Sequence, residues 1–162
     1  MRAMSAMSAQ FNRTHISERD FAEAEDYLQA LNGRRAVPVK RALLFAAIVA
    51  YARPFTQNER QPSERATSRP PINVSKRLSA DDQLLHQKLL DLRNQALAHS
   101  EWARRPVGRV FATSTGFLTS SKPFDILSEN IDVKQFKSMC RLLKLCCSAK
   151  LFEINRALGP LA

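Results

Sequence analysis

The sequence is short of glycine, cysteine, acidic residues and long apolar runs. It holds four glycines in 162 residues with a hydrophobic fraction of 44%. That composition disfavours a turn-rich sandwich and a disordered chain, and suits a helical globular domain. The three cysteines, Cys140, Cys146 and Cys147, form no CxxC pair. An odd count argues against a disulfide framework, and without a compact Cys/His cluster no metal is expected. The longest apolar run, residues 42–52, is well short of the roughly 20 residues that cross a bilayer as a helix. Residues 1–10 carry one arginine and no long apolar stretch, so they do not read as a secretory signal. The expectation is a soluble, cytoplasmic protein with no membrane contact and no cofactor.

What is present is positive charge. Lysine and arginine number 25 against 15 acids, a formal charge of +10. Such a balance favours RNA, DNA or an acidic partner, and says nothing about fold. The length fits one domain, and a chain of this size buries roughly 68–70% of its unfolded surface, enough for a core without staples.

Residues 1–15 read as a disordered tail ahead of a single domain over 16–160. A first helix is expected over residues 17–31, capped by Ser17, with Glu18 and Asp20 at its positive end and Asn32-Gly33 as the stop. A second is expected over residues 38–53, with Pro38 in its first turn and Leu43, Leu44, Ala47, Ile48 and Tyr51 as its apolar stripe. Residues 57–77 have three prolines and no periodicity, which reads as a mobile basic loop. Its cations Arg60, Arg65, Arg69, Lys76 and Arg77 make it either a solvated connection or an arm that holds RNA phosphates.

A third helix is expected from Ser79 to about His99, then at most a short β-hairpin within residues 107–124. The last helix should span residues 132–158, where Asp132 and Gln135 resemble a capping box. Phe136, Met139, Cys140, Leu143, Cys147, Leu151, Ile154 and Leu158 form its core stripe. The fold class is therefore all-α, a bundle of four to five helices.

The informative stretch is residues 84–102, LLHQKLLDLRNQALAHSEW. On a helical wheel, Leu85, Leu89, Leu92 and Ala96 form one apolar group, and Leu90 and Leu97 another. Arg93 and His86 fall between them. A charge in an apolar arc needs a carboxylate, a phosphate or a wet cleft. The partner is either an acid of the first helix, such as Glu23, Glu25 or Asp26, or a ligand phosphate. His86 either lines a cleft or is a hydrogen-bonded core histidine. His99, near the expected helix end, has an imidazole able to move protons near neutrality.

Arg93-Asn94, four residues and His99 match the R-x(4–6)-H signature of the HEPN superfamily, and LRNQALAHSEW resembles a segment seen in bacterial members. YARPFT, residues 51–56, resembles the end of an earlier helix in related bacterial families. The resemblance implies a helical bundle that dimerises so that two motifs share a cleft. It implies a metal-independent endoribonuclease, in a toxin–antitoxin, stress or phage-defence setting, that leaves a 2′,3′-cyclic phosphate. His99 would act as acid or base, Arg93 would stabilise phosphoryl charge, and Asn94 would orient His99 or a phosphate oxygen. Glu101 and Trp102 either close the site or, for a tryptophan at a helix end, serve packing, and Arg104 and Arg105 would join the loop cations in contacting RNA. RNA, a second copy and a cognate antitoxin are the implied partners. The other reading is a non-catalytic helical dimer that binds RNA, a nucleotide or a protein through the same cleft.

Overall fold

A computed structural model describes residues 2–56, 72–94, 107–121 and 124–158. Its elements are α1 (Arg2–Leu31), α2 (Val37–Ala52), α3 (Ala80–Asp91), a two-stranded antiparallel hairpin of β1 (Val107–Thr113) and β2 (Gly116–Ser121), and α4 (Val133–Leu158). Helix α1 packs along both α2 and α4, and α3 touches α2 and α4. The fold is a helical bundle as expected, with the hairpin as a small addition. Among the described residues no helix is long and apolar enough to cross a membrane.

The start of α1 corrects the expected tail. Residues 2–15 are not a loose lead-in: the helix runs from Arg2, and Ser17 lies in its middle. Alanine and methionine, frequent in residues 3–10, are strong helix formers. Thr14 and Ser17 are buried because each hydroxyl donates to a backbone carbonyl one turn back, Gln10 and Arg13 respectively, at 2.8 Å. Ser17 is therefore no cap, and Asp20 sits mid-helix, where it accepts from Arg53 at 3.1 Å.

Helix α2 begins with proline in its first turn, where a missing N–H costs nothing. Leu44, Ala47, Ile48, Ala50, Tyr51 and Ala52 are buried along it. All of these but Ala52 meet Phe21, Ala24 and Leu28 of α1 and Phe136, Met139, Cys140 and Leu143 of α4 in one core. Tyr51 is the aromatic centre, edge-on to Phe136 at 5.1 Å and tilted against Phe21 and Phe55. These offset geometries suit ring quadrupoles.

Polar ties cross the helices at the rim. Glu25 of α1 accepts from Arg141 (2.5 Å) and Lys144 (2.7 Å) of α4. Burial pulls its carboxyl pKa up, but the two cations outweigh this and hold it below the usual value. Arg41 of α2 makes a bidentate pair with Asp125 at 2.9 and 3.1 Å, which depresses the aspartate. Asp125 caps a 3₁₀ turn, Ile126–Glu129, that ends on Asn130 in the left-handed region at φ 48°. Asparagine tolerates that conformation better than most residues.

Asp132 caps α4 by accepting from the N–H groups of Lys134 and Gln135 at 2.9 and 3.0 Å. The reciprocal half of the expected capping box is missing. The Gln135 side chain donates instead to Asp82 of α3 at 2.9 Å, a tertiary bond that local sequence does not reveal.

Candidate functional site

Helix α3 leads into the motif, and its start is firmly set. Ser79 accepts from the Asp82 N–H, and Asp81 and Asp82 occupy the positive first turn. Leu85, Leu89 and Leu92 are buried, as the wheel requires. Regular α-helix runs to Asp91 and residues 92–94 lie in a π turn; the rest of the helix expected to reach His99 lies outside the described residues. Such turns interrupt the helical ladder and are frequent at functional sites.

Arg93 is half-buried and Asn94 exposed on that turn. The Arg93 guanidinium donates to Asn94 Oδ1 at 2.9 Å. None of the acids suggested for Arg93 is its partner. Glu23 accepts from Arg53 (2.6 Å) and Tyr27 (2.7 Å), Glu25 is held by α4, and Asp26 is exposed. A structural ion pair with α1 thus does not account for the placement of Arg93.

His86 lies within α3, seven residues before Arg93. Its Nδ1 is 2.8 Å from the Tyr51 hydroxyl, and its ring stands edge-on to Phe55 at 4.7 Å. Burial lowers its pKa, so the neutral imidazole is favoured. Burial likewise raises the Tyr51 pKa and keeps the phenol protonated. His86 is therefore a hydrogen-bonded histidine in an aromatic nest. The Tyr51–His86 bond was missed in sequence, although the signal was there. A buried tyrosine needs a partner for its hydroxyl, and a histidine in an apolar arc needs one for its ring.

Arg53 at the exit of α2 is the other feature not foreseen. It bridges Asp20 and Glu23, while Arg13 donates to the Pro54 carbonyl at 3.2 Å. This network anchors the YARPFT segment to α1. Burial raises the Asp20 pKa despite the Arg53 hydrogen bond.

The structure brings Arg93 and Asn94 together. His99, Glu101, Trp102, Arg104 and Arg105 lie outside the described residues, as do Arg60, Arg65 and Arg69. Lys76 and Arg77 are exposed near the opposite end of α3. Cys140 and Cys147 are buried, and burial pushes their thiols up to about 12, so neither is a thiolate nucleophile. Compared with protein-family models, curated proteins and solved structures, the chain matches none of them.

Proposed function

We propose that the end of α3 is the phosphate-contacting part of an RNA-cleaving site of the HEPN type. The chain would act as a metal-independent endoribonuclease, working as a homodimer in a toxin–antitoxin, stress or phage-defence role. The observation that carries this reading is Arg93. It is half-buried next to the buried Leu92, no α1 carboxylate neutralises it, and Asn94 orients it at 2.9 Å. That bond takes one of five guanidinium donors, and a planar fork suits two oxygens of a phosphate.

In this reading His99 removes the proton of a ribose 2′-hydroxyl or supplies one to the departing oxygen. The 2′ oxygen attacks phosphorus, the bond to the 5′ oxygen breaks, and the departing oxygen takes a proton. The products are a 2′,3′-cyclic phosphate and a 5′-hydroxyl end. Arg93 stabilises the charge that grows on the non-bridging oxygens.

The test is cleavage of RNA by the wild type, Arg93→Ala, Arg93→Lys and His99→Ala, each checked for folding by circular dichroism. Both alanine variants are expected to lose about 100-fold or more in rate. Lysine is expected to restore little, because it lacks the fork. Folded variants that cleave as well as wild type would reject the reading, as would a wild type with no cleavage dependent on these residues.

A further inference from the structure

Helix α4 has a second apolar face. Its core stripe points into the bundle, yet Leu142, Leu145 and Phe152 are 37, 64 and 71% exposed. With Ala149 they recur at steps of three and four on the side away from the core. Exposed leucine or phenylalanine is ordinary when scattered, and informative when aligned.

Beside this stripe runs a groove of about 650 Å³. Among the described residues its walls are Leu145, Cys146, Ala149 and Lys150 of α4, and Ile72, Lys76 and Arg77 of the segment before α3. That segment is pinned. Ile72 and Leu78 are buried in the core. The Gln83 side chain donates to the carbonyls of Ser75 and Leu78 at 3.3 and 3.0 Å. The 3₁₀ turn between them, Val74–Lys76, leaves Lys76 and Arg77 exposed on the rim. The groove is thus largely preformed, which lowers the ordering cost of binding.

We propose that this groove docks an acidic amphipathic helix of another protein. Charge selects the partner: Lys76, Arg77 and Lys150 face one acid, Glu153, which is already paired with Lys150 at 3.0 Å. A second copy is disfavoured, because a two-fold contact would set this basic rim against itself in a chain of charge +10. RNA satisfies the cations but leaves the aliphatic row Leu142, Leu145 and Ala149 without apolar cover. A helix with apolar residues at i, i+3 or i+4 and i+7 covers that row while its glutamates meet the rim. No strand edge borders the groove among the described residues, so strand addition is not available there. The groove lies about 20 Å along α3 from Arg93, at roughly 1.5 Å per residue, and the inference stands apart from the RNA-cleaving site.

The experiment titrates full-length protein into a fluorescent helical peptide with leucines on one face and glutamates on the other. A lysine-for-glutamate version and a mixed-sequence RNA oligonucleotide serve as comparisons. Binding of the acidic peptide is expected to weaken with salt. It should fall about ten-fold or more in Leu145→Asp and in the double variant Lys76→Glu/Arg77→Glu. All are changes at exposed side chains, and unchanged melting temperatures confirm folding; Leu145→Ser gives a milder loss if Leu145→Asp is perturbed. The proposal is overturned by no binding, by equal binding of the variants, or by equal binding of the lysine peptide. It is also overturned if RNA displaces the peptide with the same dependence on Lys76 and Arg77, or if light scattering shows a dimer that Leu145→Asp dissolves.

Discussion

The two ends of α3 are built on different principles. The start is over-determined: Ser79 caps it, two aspartates match its dipole, Gln83 ties it to the preceding turn and Asp82 receives Gln135 of α4. The end is under-determined by comparison, because the helix opens into a π turn at residues 92–94 and sets Arg93 against Asn94. Between them, Leu85, Leu89 and Leu92 hold both ends to the same core. The contrast shows how one short helix can present a rigid wall at one end and a polar, exposed chemistry at the other. Geometry that favours stability collects where caps and tertiary bonds agree, and side chains free to meet a ligand collect where the regular ladder stops.

The strongest way to break this comparison is to remove its common anchor. Leu89 is fully buried, and Leu89→Ala is expected to cost about 2–5 kcal/mol by denaturant unfolding. The two ends should lose amide protection together in hydrogen exchange. Loss confined to one end would show that α3 is not a single cooperative unit.

A smaller change separates the ends. Ser79→Ala removes the cap and is expected to cost about 1 kcal/mol in chemical denaturation. Protection should fall first in the first turn of α3, while cleavage through Arg93 should stay within about two-fold of wild type, since caps act within their own turn. An equal loss at the Arg93 end would mean that the cap also positions the site.

The smallest effect is read by pH. The folded pKa of His86 lies below its unfolded value because burial disfavours the charged ring. The unfolded chain therefore binds a proton first as pH falls, and stability declines from about pH 6.5 downward until the folded ring also titrates. His86→Gln should flatten that part of the stability–pH curve. An unchanged slope would place the pH dependence on other groups.

Much of the architecture was legible from local pattern. Pro38, Ser79 and Asp132 mark the starts of α2, α3 and α4 within a residue of where they fall, because capping is settled by atoms close in sequence. The hairpin around Ser114–Gly116 was legible for the same reason: turn residues flank short apolar runs, and Gly116 takes φ 146°. The start of α1 was not legible. Ser17 looked like a helix cap, but its hydroxyl, like that of Thr14, folds back onto its own helix and allows burial against the bundle. The core face of α4 was visible from its period, yet nothing local separates a leucine that packs inward, such as Leu143, from one that stays exposed, such as Leu145.

The candidate site divides along the same line. Placing Arg93 and His86 on one arc needed only the helical period, and the structure carries that regular period as far as Asp91. Which partner each side chain takes was decided by tertiary structure. His86 takes the hydroxyl of Tyr51, brought from α2, and Glu23 and Glu25 are drawn to Arg53, Arg141 and Lys144 and not to Arg93. Sequence alone determined the helical class, the starts of α2, α3 and α4, and the placement of a charge among apolar residues, because period and capping act over a few residues. Only the packing of α1, α2 and α4 decided which polar groups are satisfied and which faces stay open, because those partners lie tens of residues apart in the chain.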